Sequence, residues 1–281
     1  MIMDPLQTSV SITDALQRAA DYLLGRQTPS GGFCFYRWGG IEEPNLSDTD
    51  HALAALLLLG RSLPNPGRVA AFLDGFAPSP QPEALMHLIK IGKALGRSPL
   101  HDEMLRRCVE ELPWSTPPGA TSTQIEGWLR RTRLIAALRR SMDLVIDGEH
   151  LVADVNALVH GGGVGSTPNL IDTQLALEIS ELCGRPLRRG DVRDFVDSLQ
   201  IPVLGFTSTP TSRMGRLELV ASGVASCRLL ALPLRHREDT LNFVLDCQAE
   251  NGAFANAPGA LPDIESTHSG VVLLRCLAGS A

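Results

Sequence analysis

Aromatic side chains are scarce in this chain of 281 residues: 3 Trp, 2 Tyr and 8 Phe. That count caps the cation–π stabilisation any one site can assemble. An excess of basic residues is also missing. With 25 Lys and Arg against 31 Asp and Glu, the net charge is -6, so nucleic acid or an anionic membrane is not the expected main partner. The six Cys stand singly at 34, 108, 183, 227, 247 and 276 with no CxxC pair, which reads as buried thiols in a reducing compartment and neither a disulfide frame nor a zinc knuckle. Met1 to Val10 lacks a basic region followed by an apolar stretch, so no signal peptide is expected. The most apolar run, Ala52 to Leu59, falls far short of the roughly 20 residues needed to span a bilayer. A soluble, cytoplasmic protein is the expectation. Strand alternation is absent too, and Gly161-Gly162-Gly163 follows no strand and carries no phosphate-loop signature.

What is present is a repeat. Gln27 to Phe33 and Gln248 to Phe254 both read Q-x3-G-x-F. Three stretches carry a Thr followed three positions later by a small residue and then an apolar one: Asn45 to Leu53 on Thr49, Asn169 to Leu177 on Thr173, and Asp263 to Val271 on Thr267. Each Gln closes a helical pattern, with Ala15, Ala19 and Leu23 before the first and Leu241, Val244 and Leu245 before the second. The unit is therefore helix, Gly-rich loop, helix. Extending it along the chain predicts first helices near 12–26, 66–75, 100–111, 148–159, 189–199 and 236–247, and second helices near 47–60, 82–95, 121–141, 169–183, 214–231 and 264–278. Pro64, Pro66, Pro78 to Pro82, Pro113 to Gly119, Gly161 to Gly165, Pro202 to Pro210 and Ala257 to Pro262 punctuate them. Thr13-Asp14 and Ser47-Asp48 are expected at helix starts, and Gly60, Gly96 and Gly184 at helix ends. The second helices are apolar almost all round, as in Ala52 to Leu59 and Leu217 to Leu232, whereas the first helices carry charge on one face. Six such hairpins are expected to close into one all-α domain over 1–281, with inner and outer rings.

These paired elements resemble the prenyltransferase/squalene-cyclase repeat, the (α/α)6 barrel of protein prenyltransferase β subunits and class II terpene cyclases. The resemblance implies an apolar cavity that holds a polyprenyl chain. Protein prenyltransferases carry a catalytic zinc on Asp, Cys and His. Here the corresponding segment, Gly215 to Gly223, has Ala221 and Gly223 at two ligand positions, and Ser266 precedes Thr267 where the His would stand. Ala and Gly offer no donor, so no metal and no cofactor are expected. Arg216 survives from the part of that segment that the resemblance assigns to diphosphate binding. Class II cyclases use a D-x-D-D-T-like motif whose middle acid protonates an alkene or epoxide. Anchored on Thr, the first and fourth units lack that acid, while the sixth reads Asp263-Ile264-Glu265-Ser266-Thr267 with Glu265 at the centre.

Protonating a carbon–carbon double bond needs a carboxyl group kept neutral, or polarised, in a dry pocket. Two acid–imidazole pairs stand at i, i+3 spacing, Asp48 with His51 and Glu265 with His268, each on one helix face. Glu265 is read as the acid, and the histidine as its orienting group or as the base that ends the reaction. An acid in the first turn of a helix also serves plain capping, for Asp48, Asp172, Glu265 and Asp263 alike. Asp48, Asp50, His51, Asp172, Glu265 and His268 are expected at one rim. Phe33, Tyr36, Trp38, Trp128, Phe206 and Phe254, with Phe35, are the aromatics expected at a cavity or its rim. They are too few for a long triterpene cascade. The leading expectation is a terpene-cyclase-like enzyme, an isomerase or lyase, that cyclises an isoprenoid or polyene by acid–base chemistry. The alternatives are a non-catalytic barrel that binds a lipid or docks a partner, and metal-independent prenyl transfer with Arg216 and the run Arg130, Arg131, Arg133, Arg139 and Arg140 on diphosphate. Assembly as a homodimer or with a partner subunit is left open.

Overall fold

The structure, a computed structural model, describes residues 5–117, 121–187 and 189–279, with side chains except at 5–11, 38, 189 and 190. Pro118, Gly119 and the side chain of Trp38 thus lie outside the described residues. All twelve expected helices form: α1 Pro5–Leu24, α2 Leu46–Leu58, α3 Pro66–Asp74, α4 Pro82–Ala94, α5 Glu103–Glu110, α6 Ser122–Ser141, α7 Gly148–Ala157, α8 Leu170–Leu182, α9 Arg189–Ser198, α10 Leu217–Leu230, α11 Arg237–Asp246 and α12 Ile264–Gly279. Among the described residues, three antiparallel ladders of two-residue strands sit in the hairpin loops, Arg37–Trp38 with Ile41–Glu42, Val159–His160 with Gly163–Val164, and Gln200–Ile201 with Gly205–Phe206. Strands that short leave no alternation to read.

Two helix starts differ from expectation. Among the described residues α1 already runs at Pro5, so Thr13 and Asp14 lie inside it. At α2 the cap is Asn45 and not Ser47: its side chain accepts from the Asp48 N–H, and α8 repeats this with Asn169 and Asp172. Gly60, Gly96 and Gly184 close their helices at positive φ as expected.

The chain groups into two compact units, one of Met1–Ala77, His87–Arg97 and Arg237–Ala281, the other of Pro78–Met86 and Ser98–His236. In the first, α12 packs on α2 and α1 on α12, so the first and last hairpins meet. In the second, α8 packs between α6 and α10. Apolar second helices therefore lie against one another, and their sequences are apolar on most faces for that reason.

The repeated motif holds these hairpins together. Gln27 Nε2 donates to the carbonyls of Gly31 and of Pro64 ahead of α3, and Gln248 Nε2 to those of Gly252 and of Ala15 in α1. Gln200 does likewise to Pro233. Each loop presses on the neighbouring helix: a Cβ at Gly31 or Gly252 would fall 2.2 Å from the Arg68 oxygen or 2.4 Å from the Arg18 oxygen, and both glycines have positive φ. The threonines complete the joint. Thr49 Oγ1 accepts from Phe33 N–H at 2.9 Å and donates to the Asn45 carbonyl at 2.7 Å; Thr173 serves Val164 and Asn169, and Thr267 serves Phe254 and Asp263, in the same way.

Thr267→Val keeps the shape but orphans the buried Phe254 N–H. Chemical denaturation should show a loss of about 1–3 kcal/mol, and an unchanged midpoint would contradict the joint.

Candidate functional site

In the first unit, the packed N-terminal turns of α2 and α12 bring together most of the expected polar residues. A cleft of about 380 Å³ is lined by Phe35, Tyr36, Glu43, Asn45, Asp48, Asp263 and Glu265. Two of its carboxylates are engaged locally. Asp48 Oδ2 accepts from the Phe35 N–H and from Asn45 Nδ2, each at 2.9 Å. Asp263 accepts from the Ser266 N–H at 2.6 Å and its hydroxyl at 3.1 Å. The Asp263 bonds are helix-start bonds of the capping kind, whereas Asp48 accepts from a loop amide and from the cap residue Asn45. Glu265 is exposed, and Tyr36, 62% exposed, stands at the surface of the cleft.

His51 of α2, His268 of α12 and His87 of α4 form a histidine group. The His51 ring centroid is 5.3 Å from that of His268 and 5.7 Å from that of His87. His87 Nδ1 lies 2.9 Å from Asp50 Oδ2, and Lys90 Nζ lies 3.4 Å from the same oxygen. Asp50 is 3% exposed, so it acts as the buried counter-ion of α4 and not as a surface that meets a ligand. Burial pushes His268 down to about 4, helped by His51 and Lys90 and opposed by Asp50. Burial also lowers His51, opposed by Glu265 and Asp50. Both imidazoles are neutral at neutral pH. The expected Asp48–His51 and Glu265–His268 pairs do not form among the described residues. Asp48 turns to the loop amide, Glu265 faces water, and His51 lies near Ser47 Oγ at 3.4 Å and across to His268. Sequence reading missed His87, Lys90 and Glu43. No motif marks them, because only folding brings α4 against Asp50.

In the second unit, Asp172 is 1% exposed. Its Oδ2 accepts from Asn169 Nδ2 at 2.7 Å, and its Oδ1 has no hydrogen-bond partner among the described residues. Burial pushes its carboxyl up to about 6; Glu126 adds to the rise, while the Asn169 hydrogen bond and Arg130 oppose it. A Cβ at Gly165 would fall 2.4 Å from Oδ2, so the loop closes tightly over this acid.

The remaining expected residues are placed elsewhere. Phe33, Phe206 and Phe254 are fully buried and belong to the core: Phe206 packs on Gly223 and Phe254 on Gly270, where a Cβ would fall 2.2 and 2.5 Å from the rings. Trp128 is buried and donates from Nε1 to the Ser115 carbonyl at 2.8 Å. Arg216 is exposed at the start of α10. Arg130 is held by Glu126 at 2.8 Å and Glu218 at 3.0 Å, Arg133 by Glu178, and Arg139 and Arg140 bond backbone carbonyls. The zinc implied by the protein-prenyltransferase resemblance does not fit these residues. Ala221 has no donor, the Phe206 ring fills the space beside Gly223, and Ser266 is bonded to Asp263. Of the thiols, Cys34, Cys227 and Cys247 are buried, with burial pushing Cys227 up to about 11 and Cys247 to about 12, whereas Cys276 is exposed. No helix among the described residues is long and apolar enough to cross a membrane.

Asp172 also predicts a pH dependence. Its carboxyl is raised when folded, so stability is full below the unfolded value near 4 and is lost as pH climbs through about 6. Asp172→Asn lacks that loss. Unfolding free energies measured from pH 4 to 8 should therefore shift in favour of the variant by on the order of 1–3 kcal/mol, then level off. A pH-independent difference would contradict the raised value.

The sequence matches the prenyltransferase alpha-alpha toroid domain over residues 2–79 and 204–280. No curated protein matches it. Among solved structures, a variant of type II terpene cyclase MstE from Scytonema in complex with geranylgeranyl dihydroxybenzoate, its substrate, is 12% identical, with 97% of this chain and 98% of that chain covered at a TM-score of 0.63. The apo form of MstE is 13% identical, with 95% and 97% covered at 0.59. A further variant with merosterolic acid A, its product, is 13% identical, with 98% of both chains covered at 0.57. At such identity the likeness is one of fold. With the domain match spanning more than half of its residues, the chain belongs to the prenyltransferase alpha-alpha toroid family.

Proposed function

We propose that this protein is a type II terpene-cyclase-like enzyme that takes an isoprenoid or polyene and cyclises it by acid–base chemistry. The fold likeness to MstE over nearly the whole of both chains supports a cyclase scaffold. The observation that carries the chemistry is the pair of half-buried, neutral imidazoles, His51 and His268, with Glu265 of the carboxylate-lined cleft acting on His51. A carbocation at the end of a cyclisation must lose a proton, and an imidazole already stripped of its own proton at neutral pH can take it. Glu265 then has a supporting role: its charge favours the protonated form of His51, so it stabilises the proton as it leaves. Tyr36 and Phe35 offer ring faces to positive charge, at about 0.5–2 kcal/mol each. Exposure denies Glu265 the dry setting that an alkene-protonating acid needs. The engagement of Arg130 by two glutamates disfavours diphosphate-dependent transfer.

Incubation with geranylgeraniol, geranylgeranyl diphosphate and geranylgeranyl dihydroxybenzoate, followed by mass spectrometry, tests the reading. A cyclic isomer of one of them is expected. Lipid binding without conversion, or free diphosphate without an acceptor, would overturn it. His268→Ala should lower turnover roughly 10²-fold and divert product toward water-quenched alcohols, while Glu265→Gln should cost about tenfold. Unchanged rates and products in both variants would remove the histidine group from the chemistry.

A further inference from the structure

The cleft of the first unit is more acidic than its local bonds account for. Four carboxylates line its volume of about 380 Å³, Glu43, Asp48, Asp263 and Glu265, and none forms an ion pair among the described residues. Asp48 and Asp263 have loop and helix-start donors, whereas Glu43 and Glu265 are exposed and have no hydrogen bond among the described residues. The bases nearby are engaged elsewhere. Arg26 donates to the Phe35 carbonyl at 3.1 Å, Arg37 pairs with Glu42 at 3.2 Å, and Lys90 reaches Asp50 at 3.4 Å. Phe35 and Tyr36 add two rings to the lining, and an aromatic face attracts a cation. A separate observation comes from α1. Tyr22 is 7% exposed, and its hydroxyl has no hydrogen-bond partner among the described residues. The Arg26 guanidinium stands over its ring, 4.6 Å from the centroid. Burial pushes this phenol up, the Arg26 charge opposes the rise, and Asp263 and Asp48 add to it. The Tyr22 oxygen therefore faces two of the acids that line the cleft. A buried hydroxyl left unmet costs free energy, and a ligand N–H placed among those acids would meet it.

Resting on the cyclase reading above, we propose that this cleft recognises a protonated amine, and that the substrate class is an isoprenoid or polyene with an amine head group. A primary ammonium has three N–H donors and no acceptor. The cleft offers the complement: carboxylate oxygens of Glu43 and Glu265 without donors, the Tyr22 hydroxyl oxygen, and ring faces at Phe35 and Tyr36. A quaternary ammonium would use the rings and the charge but leave Tyr22 unmet, so the primary amine fits better. A carboxylate or diphosphate head group meets four like charges and no lining base among the described residues, and repulsion rejects it.

The test uses the full chain with three probes that differ only in head group: geranylgeranylamine, geranylgeraniol and geranylgeranoic acid, each below the concentration at which it aggregates. Calorimetric titration at low salt should place the amine roughly tenfold tighter than the alcohol, the combined weight of two partly exposed charge pairs, and the acid weakest. Added salt should shrink that preference. Glu43→Gln should lower the amine's advantage about threefold. Tyr22→Phe removes the oxygen and keeps the ring. A hydroxyl that only fills space predicts unchanged amine affinity and equal or higher stability, whereas recognition predicts amine affinity lowered about fivefold in a protein whose thermal unfolding is not weakened. Equal affinity for the three head groups, or a preference that either variant leaves untouched, overturns the cleft assignment; a cyclic isomer formed from geranylgeraniol then leaves the cyclase reading standing. An amine preference that both variants reduce, with no cyclic product from amine or alcohol, overturns the cyclase reading and leaves an amine-binding cleft.

Discussion

A buried threonine hydroxyl at the start of the second helix of a hairpin is the constraint on which the candidate chemistry depends. Thr49, Thr173 and Thr267 are each inaccessible to solvent, and each hydroxyl joins a loop amide to the first helical carbonyl. Removing the hydroxyl would strand a buried donor, which is why the residue type recurs. The joint fixes where the helix begins and so what its neighbours face. The residue before Thr gives its N–H to the side chain three positions earlier, Asp48 to Asn45, Asp172 to Asn169 and Ser266 to Asp263, while Asp50, just after Thr49, is buried.

Burial then sorts equivalent positions into different roles. Asp48 shares its charge with a loop amide and water, whereas Asp172 has the same box without solvent. His51 and His268 are stripped of charge by burial, while Glu265 of the cleft keeps contact with water. Electrostatics alone would draw protons to imidazoles beside carboxylates. Desolvation is the larger effect here, so His51 and His268 are neutral although acid charges act on them.

The fold was legible in the sequence because the repeat is written at two levels. Gln27 and Gln248 with their glycines mark loops that touch neighbouring helices, and the apolar character of Ala52 to Leu59 marks a helix covered on most sides. The site was legible only in part. Spacing put Asp48, Asp50, His51, Glu265 and His268 at the starts of α2 and α12, and the structure gathers those helix starts. Spacing did not say which way each side chain turns, so two acid–imidazole pairs were expected that do not form. Nor could it show His87 and Lys90, far away in sequence, reaching Asp50. Phe33, Phe206 and Phe254 look like cavity aromatics from their motif, yet glycines on the adjoining helices turn two of these rings into core.

The central claim is that carbon is protonated before any ring closes. Running the wild-type reaction with geranylgeraniol in heavy water tests it most directly, because a proton delivered to an alkene carbon leaves an isotope label in the product. The account predicts a cyclic product one mass unit heavier than the same product made in ordinary water, with the deuterium on the carbon that received the first proton. A cyclic product without deuterium would contradict it.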